Sequence, residues 1–118
     1  MTAELKNPHA TMTNWLPSVE LLPDGITFSD LDGIMERKGH FLVVESKYKN
    51  ENIGKGQLIM LSQLSKLPQF NVFMVHMDKA TGLVEDFYYL NNGVSGTQYF
   101  GHEKWVQIVK RWWDKANG

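Results

Sequence analysis

Three side chains in this sequence are placed to do metal or acid–base chemistry together. They are Asp32 in "SDLDG", and Glu45 and Lys47 in "FLVVESKYK". Residues 41–44 are Phe, Leu, Val and Val. The chain therefore drives a carboxylate, then an ammonium, into the end of its most hydrophobic stretch. If Lys38 and Gly39 form a two-residue hairpin turn, with Gly supplying a positive φ, residue 37 faces 40. Met35 then faces Leu42, Ile34 faces Val43, Asp32 faces Glu45 and Asp30 faces Lys47. Side chains alternate along a strand, so Asp30, Asp32, Glu45 and Lys47 share one face, far from the turn. Opposed residues have Cβ atoms about 5 Å apart, and like charges there are destabilising. A divalent cation removes that repulsion. Mg²⁺ favours one or two carboxylates plus water and phosphate oxygens. It activates water and neutralises charge on a phosphate. Lys47 is placed to hold the attacking water or to stabilise an oxyanion. A turn shifted by one residue would instead pair Asp30 with Glu45. The inert alternative is a surface salt-bridge ladder between Asp30 and Lys47.

The elements that must position these groups follow from periodicity and turn chemistry. A short helix is expected over residues 14–22, with Pro17 in its first turn. "LPDG" reads as a turn, and residues 26–37 as extended chain. Residues 41–47 form the second hairpin arm, and "KNENIGKG" a loop. "GQLIMLSQLSKLP" places Leu58, Leu61 and Leu64 at helical spacing, and Pro68 stops it. "FNVFMVHMD" and "LVEDFYYL" read as strands around the turn "KATG". "NNGVSGTQYFG" reads as a loop, and "HEKWVQIVKRWWDKA" as a final helix. Strands interleaved with helices predict α/β layering. Consecutive apolar strand positions predict cover on both sheet faces.

Gln57 shares a helical face with Met60, Leu61 and Leu64. An amide at the start of that face would overlook the strand end that carries Glu45 and Lys47, an edge where ligand sites in α/β sheets gather. An ordinary cap or a solvent-facing amide is the competing reading. "GKG" lacks the spacing of a P-loop, although its backbone N–H groups would let a phosphate approach the helix start.

The order Asp32, then Glu45-Ser46-Lys47, then Gln57 on the next helix resembles the PD-(D/E)XK nuclease superfamily. It is most similar to compact members: Holliday-junction resolvases of archaeal type, virus-type replication-repair nucleases and small phage nucleases. The resemblance covers about residues 13–78 and implies a restriction-endonuclease-like αβββαβ core. That core is a mixed central sheet flanked by helices, here followed by an added C-terminal hairpin strand and helix, in one domain over residues 1–118 with an arm at 1–12. It also implies a Mg²⁺-dependent deoxyribonuclease, with Mn²⁺ as substitute. Asp32 and Glu45 would be metal ligands, with the Ser46 backbone carbonyl a third. Lys47 would be the catalytic lysine and Gln57 the helix glutamine. Glu20 matches the acidic residue that many members carry on the first helix. Leu31 stands where the motif has proline, so Asp30 and Asp32 compete for one role. Lys49 and Lys55 are candidate DNA contacts. A small core suits homodimerisation, as in resolvases of this fold, and a short cysteine-free chain suits a phage or mobile element. One rival is a nuclease fold kept as a DNA- or protein-binding module without catalysis. Another is a small interaction protein that uses the Trp-rich last helix.

Composition narrows the field. The 118 residues include no cysteine, 42% are hydrophobic and the net charge is −1. Disulfides and thiolate metal sites are thereby excluded, and a polyanion partner needs a local basic patch. The N-terminus lacks an apolar signal core, and no run approaches the ~18 apolar residues of a membrane span. The expectation is an intracellular, cytoplasmic protein with no membrane partner. His9, His40, His76 and His102 lack helix-ligand spacing, and His40, beside the turn, reads as structural. No Gly-x-Ser-x-Gly elbow is present. Glu85 and Asp86 read as a solvated edge. Trp112 joins the apolar face of the last helix. Trp113 points away from it, to cover the sheet edge, meet a second subunit or stack on a base.

Overall fold

The computed structural model describes residues 14, 16–28, 31–48, 54–78 and 80–118. The chain divides into two units, residues 1–30 and 31–118. The arm expected over residues 1–12 lies outside the described residues.

In the first unit, helix α1 (Leu16–Val19) is one turn long. The Asn14 side chain caps it, accepting from the Leu16 N–H at 3.1 Å. The turn expected at "LPDG" is present. Asp24 and Gly25 both have positive φ, and the Ile26 N–H donates to the Pro23 carbonyl, as in the mirror-image type I turn.

The second unit is a single five-stranded sheet with a helix on each face. Its elements are β1 (Gly33–Arg37), β2 (His40–Tyr48), α2 (Lys55–Leu64), β3 (Phe70–Met77), β4 (Val84–Asn91), β5 (Val94–Phe100) and α3 (His102–Asn117). The strands lie in sequence order across the sheet. β2 and β3 are parallel, joined by the α2 crossover that parallel strands require, and every other pair is antiparallel. The mixed α/β class is as expected. Two strands precede α2 among the described residues, where the resemblance implied three.

The double-sided apolar pattern of β2 and β3 has its expected cause. On one face Val43, Val72 and Leu90 pack with Leu61, Met60 and Leu64 of α2. On the other, Leu42, Phe73, Val75 and Phe87 pack with Trp105, Ile108, Trp112 and Ala116 of α3. Phe87 is wholly buried, stacked on Tyr99 and met edge-on by Phe73 and Trp105.

Residues 94–100, expected as a loop, form β5. Asn92 and Gly93 have φ of 51° and 86°, the twisted two-residue turn that Asn-Gly favours. The strand escapes detection because it lies at a sheet edge, where polar residues are tolerated. At Gly96 a Cβ would lie 2.8 Å from the Tyr89 backbone oxygen, so this residue lets the two strands approach.

Trp113 covers the sheet edge, the first of the three roles open to it. The Arg37 guanidinium of β1 lies 5.0 Å from its ring centre, and Arg37 Nε donates to the Asn117 side-chain oxygen. A cation–π contact and a side-chain hydrogen bond each contribute about 1 kcal/mol. Arg37→Ala is therefore expected to lower stability by about 1–2 kcal/mol in urea unfolding. Arg37→Lys should recover less than half, because an ammonium lacks the planar fork.

Candidate active site

The hairpin turn sets the site. Lys38 and Gly39 have φ of 52° and 81°, and the Glu36 carboxylate accepts from the Gly39 N–H at 2.9 Å. The register is the expected one: Arg37 faces His40, Met35 faces Leu42, Ile34 faces Val43 and Gly33 faces Val44. One step further, Asp32 leaves the ladder beside Glu45 and Ser46. Its Oδ2 accepts from the Ser46 N–H at 2.8 Å and from the Ser46 hydroxyl at 3.1 Å. In an antiparallel pair the N–H and C=O of one residue point to the same side. The Ser46 carbonyl is thus directed to the strand edge where Asp32 sits.

Glu45 is 1% exposed. Its Oε2 lies 3.2 Å from Lys47 Nζ, and its Oε1 is buried without a hydrogen-bond partner. Burial raises the Glu45 pKa above its ordinary value of 4.5. The adjacent Asp32 charge raises it further, and the Lys47 ammonium works against both. Lys47 keeps 21% of its side chain exposed, so the ammonium reaches solvent while its stem packs. This is the local answer to a carboxylate in a hydrophobic strand: the strand buries one oxygen and the lysine two residues on satisfies the other.

α2 lies over β3 and β4 and runs back against the two parallel strands. Its first turn is therefore at the end of β2 that carries Glu45 and Lys47. Gln57, in that turn, is half-buried and has no hydrogen bond to Glu45 or Lys47. Glu20 is exposed, just beyond α1 in the first unit. Asp30 and Lys49 lie outside the described residues. Lys55 opens α2.

Two residues of the same sheet end were not anticipated. His76 of β3 is the register partner of Lys47 and also of Asp86 on β4. Its Nδ1 lies 2.7 Å from Asp86 Oδ1. Asp86 is only 23% exposed at its side chain, and β4 is an inner strand. The solvated-edge expectation thus fails for Asp86, while Glu85 is exposed. The signal was the "KATG" turn, but residues 78–83 and a bulge between His76 and Met77 separate the strands, so counting from the turn does not give the register.

Among the described residues no three His, Asp or Glu side chains form a ready-made metal cage. The oxygens that lie together are the Asp32 and Glu45 carboxylates, with the Ser46 N–H and hydroxyl on Asp32. A cavity of about 230 Å³ opens beside Asp32 and Ser46 on the α3 side. A larger one, of about 370 Å³, lies around Lys66, Asn71 and Lys115, at the other end of β2 and β3. Asp32 and Ser46 therefore border a small, open cavity and not a deep small-molecule pocket. No family model, curated protein or solved structure matches this chain.

Proposed function

We propose that residues 31–118 form a divalent-metal-dependent nuclease unit that hydrolyses phosphodiester bonds in DNA. One observation carries this reading: the buried Glu45 carboxylate has an oxygen with no partner, next to a second carboxylate. Leaving such a group unsatisfied costs about 1–3 kcal/mol and asks for a cause, of which a bound ion is one. The other such group among the described residues, Trp112 Nε1, belongs to the apolar core. A hard cation bound by oxygen ligands fits this set. Glu45 Oε1, the Asp32 carboxylate and the Ser46 carbonyl would hold Mg²⁺ or Mn²⁺, with water completing the shell. When bound, the ion would supply Lewis-acid stabilisation of phosphate charge and a more acidic water.

The chain's own groups do the rest. Glu45 Oε2 fixes the Lys47 ammonium, which is aimed where a phosphate oxygen or an attacking water gains charge. Ser46 fixes Asp32 through two hydrogen bonds, so its rotamer is set before substrate arrives. Gln57 would bind a phosphate or water from the first turn of α2. The shallow setting suits a polymer backbone, and substrate choice among DNA structures would come from surfaces around the cluster. Among the described residues no helix is long and apolar enough to cross a membrane.

The geometry also supports the silent-module alternative in one respect. The Asp32–Ser46 bonds and the Lys47–Glu45 pair satisfy most of the cluster without a cation. One assay separates the two. Linear, nicked, single-stranded and four-way-junction DNA are incubated with the full chain in Mg²⁺, Mn²⁺ or EDTA. Cleavage in either metal and none in EDTA is expected. DNA retention without cleavage in all conditions would favour the binding module, and neither cleavage nor retention would reject both.

A further inference from the structure

In the cluster described above the Lys47 ammonium cannot accept a proton, and the two carboxylates are assigned to the ion. An ammonium paired with Glu45 has three donors and no lone pair. Hydrolysis by water releases a proton from the nucleophile, and something must take it.

His76 is placed for that task. It stands beside Lys47 across the parallel β2–β3 ladder, and neighbouring strands lie about 4.8 Å apart. Residues paired in register share a sheet face, so His76 rises on the same face as Lys47 and Glu45, toward α2. Its Nδ1 is held 2.7 Å from Asp86. Beside a carboxylate, which only accepts, Nδ1 is the nitrogen that carries the hydrogen, and whenever the ring is neutral its lone pair is at Nε2. Among the described residues Nε2 has no hydrogen-bond partner, and the side chain is 33% exposed. The Tyr88 ring meets the imidazole edge-on, at 6.3 Å between centres. A histidine with one nitrogen held by a carboxylate and the other open to a reacting group is the arrangement of a general base.

We propose that His76 is the general base of this site and Asp86 its positioning residue, an inference that rests on the nuclease reading above. In the step assigned to it, a water oxygen forms a bond to phosphorus while Nε2 takes a proton from that water. The bond from phosphorus to the leaving nucleoside oxygen breaks, and its electron pair stays on that oxygen. The leaving oxygen is then protonated from solvent, and the imidazolium returns its proton to solvent. Asp86 keeps the ring in the productive tautomer and stabilises the transient cation.

The test has two arms. The first needs no activity: ring ¹⁵N spectra of the metal-free full chain. His76 is expected with Nδ1 protonated and Nε2 bare, and Asp86→Asn should abolish that preference. Finding the neutral ring protonated at Nε2 instead overturns the proposal, whether or not the protein cleaves DNA. The second arm compares cleavage by wild type, Glu45→Gln, His76→Ala and Asp86→Asn. His76→Ala should lower kcat about 100-fold or more, the scale of general-base catalysis, with KM little changed and part of the rate restored by added imidazole. Asp86→Asn should lower kcat without rescue. An active wild type, a dead Glu45→Gln and an unaffected His76→Ala would reject His76 and leave the nuclease reading standing. An inactive wild type would reject both.

Discussion

Replacing Lys47 by alanine is expected to reduce DNA cleavage by about 100-fold or more while the protein remains folded. The size follows from position. The ammonium is fixed 3.2 Å from Glu45 Oε2 and remains partly exposed at the rim of the cluster. On the nuclease reading proposed above, a group held this way would act on a substrate atom beside the carboxylates without reorganising at the moment of reaction. Its loss removes one preorganised charge, a loss of about 3 kcal/mol from the barrier reduction at about 100-fold. The effect should fall on kcat, because the charge matters most where negative charge develops. Removing Lys47 also leaves Glu45 Oε2 without its ion-pair partner. Circular dichroism and thermal unfolding must therefore accompany the kinetics. Lys47→Arg retains charge with different geometry and should be intermediate. Turnover equal to wild type in Lys47→Ala, with the fold intact, would remove this residue from the mechanism.

The hairpin that builds this cluster was legible because its turn is short. Lys38 and Gly39 both take left-handed backbone, a two-residue turn admits one register, and that register places Asp32 beside Glu45 by counting alone. The helix face of Gln57 was legible from its spacing to Leu61 and Leu64, and the side chain is half-buried there, without a hydrogen bond to Glu45 or Lys47. Where the connection is longer, counting fails. His76 meets Asp86 across a loop whose length and bulge are decided by packing of the strands on either side. β5 was hidden because an edge strand needs no apolar alternation. The partner of Trp113 was hidden because it comes from β1, on the far side of the sheet from β5, and no local pattern links residues 37 and 113.

Charge burial also explains why the pairing of Glu45 and Lys47 two residues apart matters. In a strand, positions i and i+2 share a face. A lysine at 46 would point toward α3 and leave the Glu45 carboxylate without a counter-charge. The order of residue types along β2 therefore follows from which face α2 covers. Glu45 is buried deeply enough to orphan one oxygen, and Lys47, the next position on the same face, keeps part of its side chain exposed.

The same burial predicts that Glu45→Gln stabilises the metal-free protein at neutral pH. The Glu45 pKa is raised in the folded state, by burial first and by Asp32 second, with Lys47 opposing. Between the unfolded value, near 4.5, and the higher folded value, the folded chain binds more protons than the unfolded one. Stability therefore falls as pH rises through that window and is level above it. Above that window the metal-free wild type carries the full penalty of an ionised, partly unsatisfied carboxylate, and below the unfolded value it does not. A glutamine side chain in its place would keep the shape, accept from Lys47 and donate toward Asp32. Thermal unfolding of the variant should therefore lie above wild type on the alkaline side of that window, with the gap closing as pH falls through it. A divalent cation should have the opposite selectivity. At about 100 times its dissociation constant it stabilises the folded state by about 2.7 kcal/mol, roughly a 10 °C rise in Tm for a domain of this size. That rise should appear in wild type and be lost in both Glu45→Gln and Asp32→Asn. Equal Mg²⁺ or Mn²⁺ shifts in all three proteins would place the ion elsewhere. A Glu45→Gln variant no more stable than wild type at neutral pH would mean that the carboxylate is not under strain, and the case for a cation between residues 32 and 45 would fail.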